Sequence, residues 1–417
     1  MRSRNEAVLV GFTAVTNLAD GVSRVALPLA AVAITDSPAL VAIVPFTLTL
    51  PWLLVSLHAG VLVDRGDRRR IAVLANFGRL LAVGVLLAAV FGGWASLPVL
   101  YATGLALGVS EVIATAAVGA LVPAAVPAKG LTRVNSWMAG AETLMNEFAG
   151  PAVGGLLVGI GVSFALGSAA AGFALGAVLL ALLAGRFRAR RAEQRQTVSG
   201  EIREGLRFLW RDRLLRTLNL TVTVLGASWA AWLALLPVYA TQVLGLGPQG
   251  FGLLISTIGV GGLVGAVATV WVNRVAGVRW ALFADLVATF LMVLVPFALP
   301  NVWAVGAAAF LGGMGGTLWT VNARTISQRR VPDELLGRYG AAARLLSYGS
   351  MPIATLLAGL LAQFVGVREA FLAFALLAAV VFVPFLRSVT EREIKESEAD
   401  HEKVAESGNR SPSTTVN

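Results

Sequence analysis

Twelve apolar runs, each long enough to cross a bilayer as a helix, leave this 417-residue chain few ways to fold. They fall at about 7–34, 38–62, 71–92, 97–123, 135–160, 164–184, 214–240, 249–272, 280–299, 302–323, 339–365 and 369–386. A span of the hydrocarbon core takes roughly 20 predominantly apolar residues in helical form. Lipid offers no partner to a free backbone N–H or C=O, so runs of this length are read as helices that satisfy their own backbones. Charged residues make up 13% of the chain, about half the share usual in a soluble domain. Too little polar surface remains to cover the chain in water, and the deficit runs along most of its length. The class is an all-α polytopic membrane protein.

The first run follows Met1-Arg2-Ser3-Arg4, as the core of a signal peptide would. It is too long for that, and it contains Asp20 and Arg24, so it is read as a retained first helix. There is no cysteine, and the only histidines are His58 and His401. Disulfides and thiolate metal sites are thereby excluded, and no metal or cofactor is expected.

A net charge of +10 invites a nucleic-acid reading, but its distribution argues otherwise. Ten basic residues lie between Arg186 and Arg216, and most others flank apolar runs. Of 33 Lys and Arg residues, 29 fall at the termini or in, or within three residues of, the even-numbered connections. The odd-numbered connections hold only Arg368, and Arg24, Arg79 and Arg344 lie inside runs. Positive charge collects on the cytoplasmic side of a membrane protein, which predicts both termini there, in the cell's inner (plasma) membrane.

The longest connection, 185–213, divides the runs six and six. Within it Ile202, Leu206, Leu209 and Trp210 recur at helical spacing, predicting an amphipathic helix on the inner membrane face with its arginines toward lipid headgroups. Residues 1–184 form the first unit, 214–386 the second, and 387–417 a charged, then Ser/Thr-rich tail expected to be disordered past Glu396. The two units repeat. Val126-Pro127, Leu131 and Arg133 recur as Val331-Pro332, Leu336 and Arg338, 205 residues on. Pro151 recurs as Pro352, and Asp64-Arg65 is echoed by Asn273-Arg274. Internal repeats are what many secondary transporters are built from.

The second connection carries Gly60-Val61-Leu62-Val63-Asp64-Arg65-Gly66-Asp67-Arg68-Arg69-Arg70. Its pattern, Gly-x-x-x-Asp-Arg-x-x-Arg-Arg, resembles the loop signature of the major facilitator superfamily. Gly150-Pro151-Ala152-Val153-Gly154-Gly155 matches the Gly-Pro-x-x-Gly-Gly core of that family's antiporter motif, with Asn146 where the longer form has glycine. The Gln328–Asp333 and Gly205–Leu209 stretches resemble the drug:proton antiporter branch that includes macrolide and siderophore exporters. The resemblance covers about residues 7–387. It implies twelve helices in two pseudo-symmetric six-helix bundles, with the substrate between them. It also implies that the second connection meets the eleventh helix and holds one access state. Two departures stand out. The fourth run, Gly104–Glu111, lacks the basic residue of many proton-coupled members, and Asn273 replaces a carboxylate.

Intramembrane charges are the sharpest candidates, because a carboxylate at midspan costs about 2.5–3.5 kcal/mol on insertion scales and is kept for a reason. Asp20, Glu111 and Glu147 are the proton-coupling candidates. Asp20 and Arg24 stand one turn apart, so pairing with each other is the plainer alternative. Glu142 lies nearer the basic side. Gly60, Asp64, Arg65, Arg68, Arg69 and Arg344 are gating or latch candidates, with a plain positive-inside loop as the alternative. Arg79 and Asp285, placed within about two turns of the boundary, are given the same latch role, and His58 a packing role. Gly150, Pro151, Gly154 and Gly155 should bend and pack the fifth helix. Asn17, Arg24, Trp229, Trp232, Trp319 and Asn322 are candidates for the cavity wall, although tryptophans also serve as interface anchors.

The leading expectation is a monomeric, lipid-embedded exporter of an amphipathic small molecule, driven by protons. A proton-coupled uptake symporter, a membrane sensor and a membrane enzyme are the alternatives. No Gly-x-x-x-x-Gly-Lys-Ser/Thr loop supports an ATP-driven pump, and no triad or metal cluster supports an enzyme.

Overall fold

In a computed structural model, residues 2–185, 187 and 198–393 are described, and among them there is helix but no strand. In the first half α1 (Arg2–Val32) is followed by α2 (Pro38–Leu54). Ser37 caps α2, its hydroxyl accepting the Leu40 N–H at 3.3 Å, and Pro38 takes the first position, where no N–H is needed. After two internal prolines the helix breaks at Val55, and α3 (Ser56–Arg65) continues the span. Next comes α4 (Arg68–Phe91), capped by Asp67, whose carboxylate accepts the Arg70 N–H at 3.0 Å. Then follow α5 (Leu97–Ala125), α6 (Ala128–Glu142), a π-helical segment (Thr143–Ala149), α7 (Gly150–Ile160) and α8 (Val162–Ala181). The connecting helix is α9 (Val198–Arg211).

The second half contains α10 (Arg213–Val238), extended by π-helical Tyr239–Val243, then α11 (Pro248–Ala276), α12 (Val278–Ala298) and α13 (Val302–Arg330). It ends with α14 (Asp333–Val365), α15 (Val367–Val380) and α16 (Phe382–Ser388). Ten helical segments are long and apolar enough to cross a membrane. With α1 and the shorter α2 the count fits twelve. The fifth span starts at Ala128 rather than near 135, because Pro127 ends the preceding connection and caps α6. Pro332 does the same for α14, so the repeated Val-Pro pair is a repeated helix start.

Burial on α4 shows how the spans are oriented. Ala72, Ala75, Asn76, Arg79, Ala82, Val83 and Leu86 are buried, while Leu74, Phe77, Leu81 and Val85 are exposed. The exposed stripe, apolar at helical spacing, is a lipid face, and the buried stripe carries two polar residues inward. The main core joins both halves, from Leu27 and Phe173 to Trp232, Tyr239 and Phe371.

The repeat also returns in its ion pairs. Arg133 lies 2.6 Å from Glu6, and Arg338 lies 2.7 Å from Glu204. Gly205 lets α9 rest on the backbone carbonyl of Arg338, and Leu209 is buried with Leu215, Val331 and Tyr339. The predicted amphipathic helix is therefore anchored to α14, with Arg203, Arg207 and Arg211 exposed. The basic stretch 188–197 and the tail from 394 lie outside the described residues.

The halves meet near the odd-numbered connections and part toward the basic ones. The Gln242 amide donates to the Asp36 carbonyl at 3.3 Å, and the Ser37 hydroxyl lies 2.5 Å from Gln363. Lower on the same side, Gly359 packs on Ala42, and Gly155 packs on Gly252. Toward the basic face α3 packs on α5 and α6 packs on α1, each within its own half. The buried clusters toward that face, one around Leu121 and one around Leu209, likewise each stay within one half or its connecting helix. The molecule is sealed on one face and open on the basic one.

Candidate functional site

The polar residues of α1 do not pair with each other. Asp20 Oδ2 lies 3.1 Å from Arg79 Nη1 on α4, and Arg24 Nη2 lies 3.8 Å from Glu111 Oε1 on α5. Both guanidinium groups therefore reach across to another helix, which corrects the expected Asp20–Arg24 pair. The two contacts also differ in kind. Arg79 and Asp20 are 4% and 15% exposed, whereas Arg24 and Glu111 are 49% and 22% exposed. The first is a closed pair in the protein interior, and the second is loose and open to solvent. Arg79 also lies over the Phe173 ring at 5.5 Å, while its Nε has no partner.

Small residues let these helices approach. A Cβ on Gly21 would fall 2.9 Å from the Gly150 Cα, and one on Gly154 would fall 3.0 Å from the Val22 Cα. The candidate bend at Gly150-Pro151 takes a specific form. Proline has no N–H to give the carbonyl four residues back, so the chain widens into a π turn over 143–149, where Gly150 donates to Met145. The widening turns carbonyls toward the other half. Ser256 of α11 donates its hydroxyl to the Phe148 carbonyl at 2.9 Å, and the Glu147 carbonyl faces Gly259. Gly155 then meets Gly252, with a Cβ there falling 2.6 Å from the Pro248 carbonyl. One motif thus packs α7 on α1 with two of its glycines and on α11 with the third.

Glu142 and Glu147 have exposed side chains and form no ion pair among the described residues. Both still feel the field of Arg24, as Asp20 feels Arg79, Glu111, Arg24 and Glu142. The three proton-coupling candidates therefore do not form one contact cluster. Asp20 and Glu111 belong to adjoining ion pairs, and Glu147 stands free across from them.

The second half is built differently. The Trp229 indole N–H donates to the Thr289 hydroxyl at 3.1 Å, and that hydroxyl donates to Asp285 Oδ1 at 3.3 Å. Asp285 is buried beside Gly315 rather than exposed at the boundary. Of the wall candidates, Asn17, Arg24 and Trp229 keep exposed surface. Trp232, Trp319 and Asn322 are buried, which removes them from the open surface in this state. Trp232 lies in the core between the halves, Trp319 packs on Phe385, and Asn322 exchanges amide hydrogen bonds with Asn273 at 2.7 and 3.1 Å.

The latch residues are apart. Arg65 and Arg344 are exposed, Arg68 donates to the Ala120 carbonyl, and Arg69 donates to that of Ala181. The Asp64 side chain lies outside what is described. Within this loop it is Asp67 that caps α4. Exposed His58 is not a packing residue. Arg79 was misassigned because its span was started at Ile71. From Arg68 it is eleven residues in, about 16 Å at helical rise and close to midmembrane. Counting from the helix cap would have found it.

The sequence profile described as "Transmembrane secretion effector" matches residues 4–409. The multidrug efflux pump Tap of Mycobacterium tuberculosis is 31% identical over 395 residues, covering 90% of this chain and 91% of the relative. The Tap pump of Mycolicibacterium fortuitum is 28% identical over 405 residues, covering 93% and 97%. Among solved structures, a bacterial homologue of the iron transporter ferroportin in its inward-facing state superposes with a TM-score of 0.71 at 18% identity, covering 92% of this chain and 99% of that one. The match establishes a common fold. The chain is a multi-pass membrane transporter of the major facilitator superfamily and belongs to its transmembrane secretion effector family.

Proposed function

We propose that this transporter exports an amphipathic small molecule across the plasma membrane in exchange for protons. The basic connections support a cytoplasmic location for both termini and, with them, for the open face. A cytoplasmic or inner-leaflet substrate enters between the halves, and rocking the halves about the site releases it outside. The efflux activity named for the Tap relatives supports the direction.

The observation that carries the proton step is the pair of adjoining ion pairs, Asp20–Arg79 and Arg24–Glu111, across α1, α4 and α5. Protonation of Asp20 removes the charge that holds Arg79. Arg79 is buried and must find another carboxylate or reach water, so the packing of α1 on α4 responds to one proton. Glu111, already loose and wet, exchanges protons with the open face. Glu147 stands beside the α7–α11 seal and reads its closure. When the halves close on the basic face, Asp64 and its arginines meet α14 at exposed Arg344 as the latch.

Everted vesicles test the proposal. A panel of amphipathic compounds should accumulate inside when a pH gradient is imposed, and collapse of the gradient should stop the uptake. Accumulation that ignores the gradient would remove the proton step, and no accumulation of any compound would remove the export reading.

A further inference from the structure

Trp52 of α2 and Tyr348 of α14 stack across the two halves, ring centroids 5.4 Å apart and planes 21° from parallel. Among the described residues it is the only aromatic pair that joins the halves; the others lie within the second. Its place is informative. Toward the sealed face α2 and α14 remain in contact, from Leu53 and Gly349 to Ser37 and Gln363. Toward the open face the span breaks at Val55, and α3 packs back on α5. Tyr348 is 40% exposed, and Trp52 keeps exposed surface. The pair forms the roof of the open space.

Its level in the membrane is fixed by neighbours. Gly108 packs on Leu48 and Pro51, one turn before Glu111, so Trp52 and Glu111 share a level. Gly226 packs on Met351 and Ser347, one turn from Trp229, so Tyr348 lies at nearly the same level in the second half. Within the first half the charges near that level are unbalanced, while in the second half exposed Arg344 lies one turn from Tyr348. Asp20, Glu111, Glu142 and Glu147 face only Arg24 and Arg79 among the groups that act on them.

We infer that Trp52 and Tyr348 are a substrate clamp: they part to admit the flat aromatic ring of a cationic ligand, which stacks between them beside the acidic residues of the first half. Stacked rings and a cation over an indole face are both attractive, and the carboxylates supply a countercharge. Because the two rings come from different halves, a ligand between them alters the contact that joins α2 to α14. This assignment rests on the proposed export of amphipathic compounds and narrows it to planar aromatic cations.

The chain has no cysteine, so an introduced pair reports cleanly. A Cβ on Gly349 would lie 3.2 Å from the Leu53 side chain. Leu53→Cys with Gly349→Cys therefore places two thiols beside the rings and leaves the rings intact. Without ligand a short bis-methanethiosulfonate reagent should cross-link them readily, each thiolate forming a disulfide with loss of methanesulfinate. Ethidium should slow the reaction several-fold, and tetrabutylammonium, which has the charge without the ring, should not. Added Trp52→Ala should abolish the protection and weaken ethidium binding, while Trp52→Phe should keep both. Ethidium that binds, by its own fluorescence, without slowing cross-linking would overturn the clamp. So would protection that survives Trp52→Ala. If the full chain neither binds nor moves ethidium but exports other amphipathic compounds, only the clamp fails. If it exports nothing, the export reading fails first.

Discussion

In the first half the buried cation Arg79 of α4 has the Asp20 carboxylate 3.1 Å away. In the second half the buried carboxylate Asp285 of α12 has only a threonine hydroxyl, 3.3 Å away, and no ion pair. These are the two buried charged side chains among the described residues. Duplication made the two helices equivalent, and the same offset that carries Asp64 to Asn273 carries Asn76 of α4 to Asp285. The equivalent helices have since taken different tasks. The first half assembles charges from three helices into two adjoining ion pairs, the ones proposed to respond to a proton. The second half replaces them with an amide pair, Asn273 with Asn322, and a tryptophan held by hydrogen bonds. A scaffold that must rock as two rigid bodies needs similar packing in both halves. The proposed proton exchange asks for linked charges in only one.

The largest effect should follow from removing the charge that the first half is built around. Asp20→Asn keeps the size and hydrogen-bonding reach of the side chain but cannot exchange a proton. Gradient-driven export in vesicles should fall about a hundredfold, on the general-acid scale for losing an essential proton carrier. Export in the variant that still follows the gradient would move the proton to Glu111 or Glu147.

Next comes stability. Arg79→Leu leaves Asp20 without its partner, and breaking a buried pair costs about 3–5 kcal/mol. Adding Asp20→Asn to that variant should restore most of the loss, because no uncompensated charge remains. Asp285→Asn has no partner to orphan, and its cost should be about 1 kcal/mol, that of a perturbed hydrogen bond. Thermal unfolding in detergent ranks the variants. Equal losses at Arg79 and Asp285 would erase the difference drawn between the halves.

The seal between halves comes third. Gly155→Val and Gly252→Val each put methyl groups where two backbones touch. Overpacking of this kind costs about 1–3 kcal/mol. The cost falls on the state closed at this face and on no other. A single cysteine introduced near Gly252 should therefore become more reactive to a water-soluble thiol reagent in the Gly155→Val variant. Unchanged reactivity would show that the contact is slack.

How much of this could be read beforehand follows from range. The spans and the repeated helix starts are local or additive properties, and the sequence carries them openly. The packing role of Gly150, Pro151, Gly154 and Gly155 was legible because proline and glycine act on their own backbone. The partners of the charges were not. Helical periodicity identifies neighbours three or four residues away, so it offered Arg24 to Asp20 and could not offer Arg79, 59 residues on. The same limit hid Thr289 beneath Trp229, and Tyr348 opposite Trp52. Residue type alone cannot tell one tryptophan from another, and burial divides them: Trp229 keeps exposed surface, while Trp232 and Trp319 are buried.

The smallest effect tests where the halves remain alike. Arg133–Glu6 and Arg338–Glu204 occupy matching places at the starts of α6 and α14, and both lie at the basic face. Arg133 is 58% exposed, and Glu204 is 43% exposed, so each pair is screened by water and salt. Arg133→Ala and Arg338→Ala should each cost about 0.2–1 kcal/mol, and less at high ionic strength. Their transport consequences should nonetheless differ. Arg133 ties two helices of the first half, whereas Arg338 ties α14 to the connecting helix α9 through Glu204 and the close contact of Gly205. If α9 moves as part of the second half, Arg338→Ala should slow turnover more than Arg133→Ala at equal cost in stability. Initial rates of export at saturating substrate measure this directly. Equal slowing in both variants would mean that the connecting helix only joins the halves and takes no part in their motion.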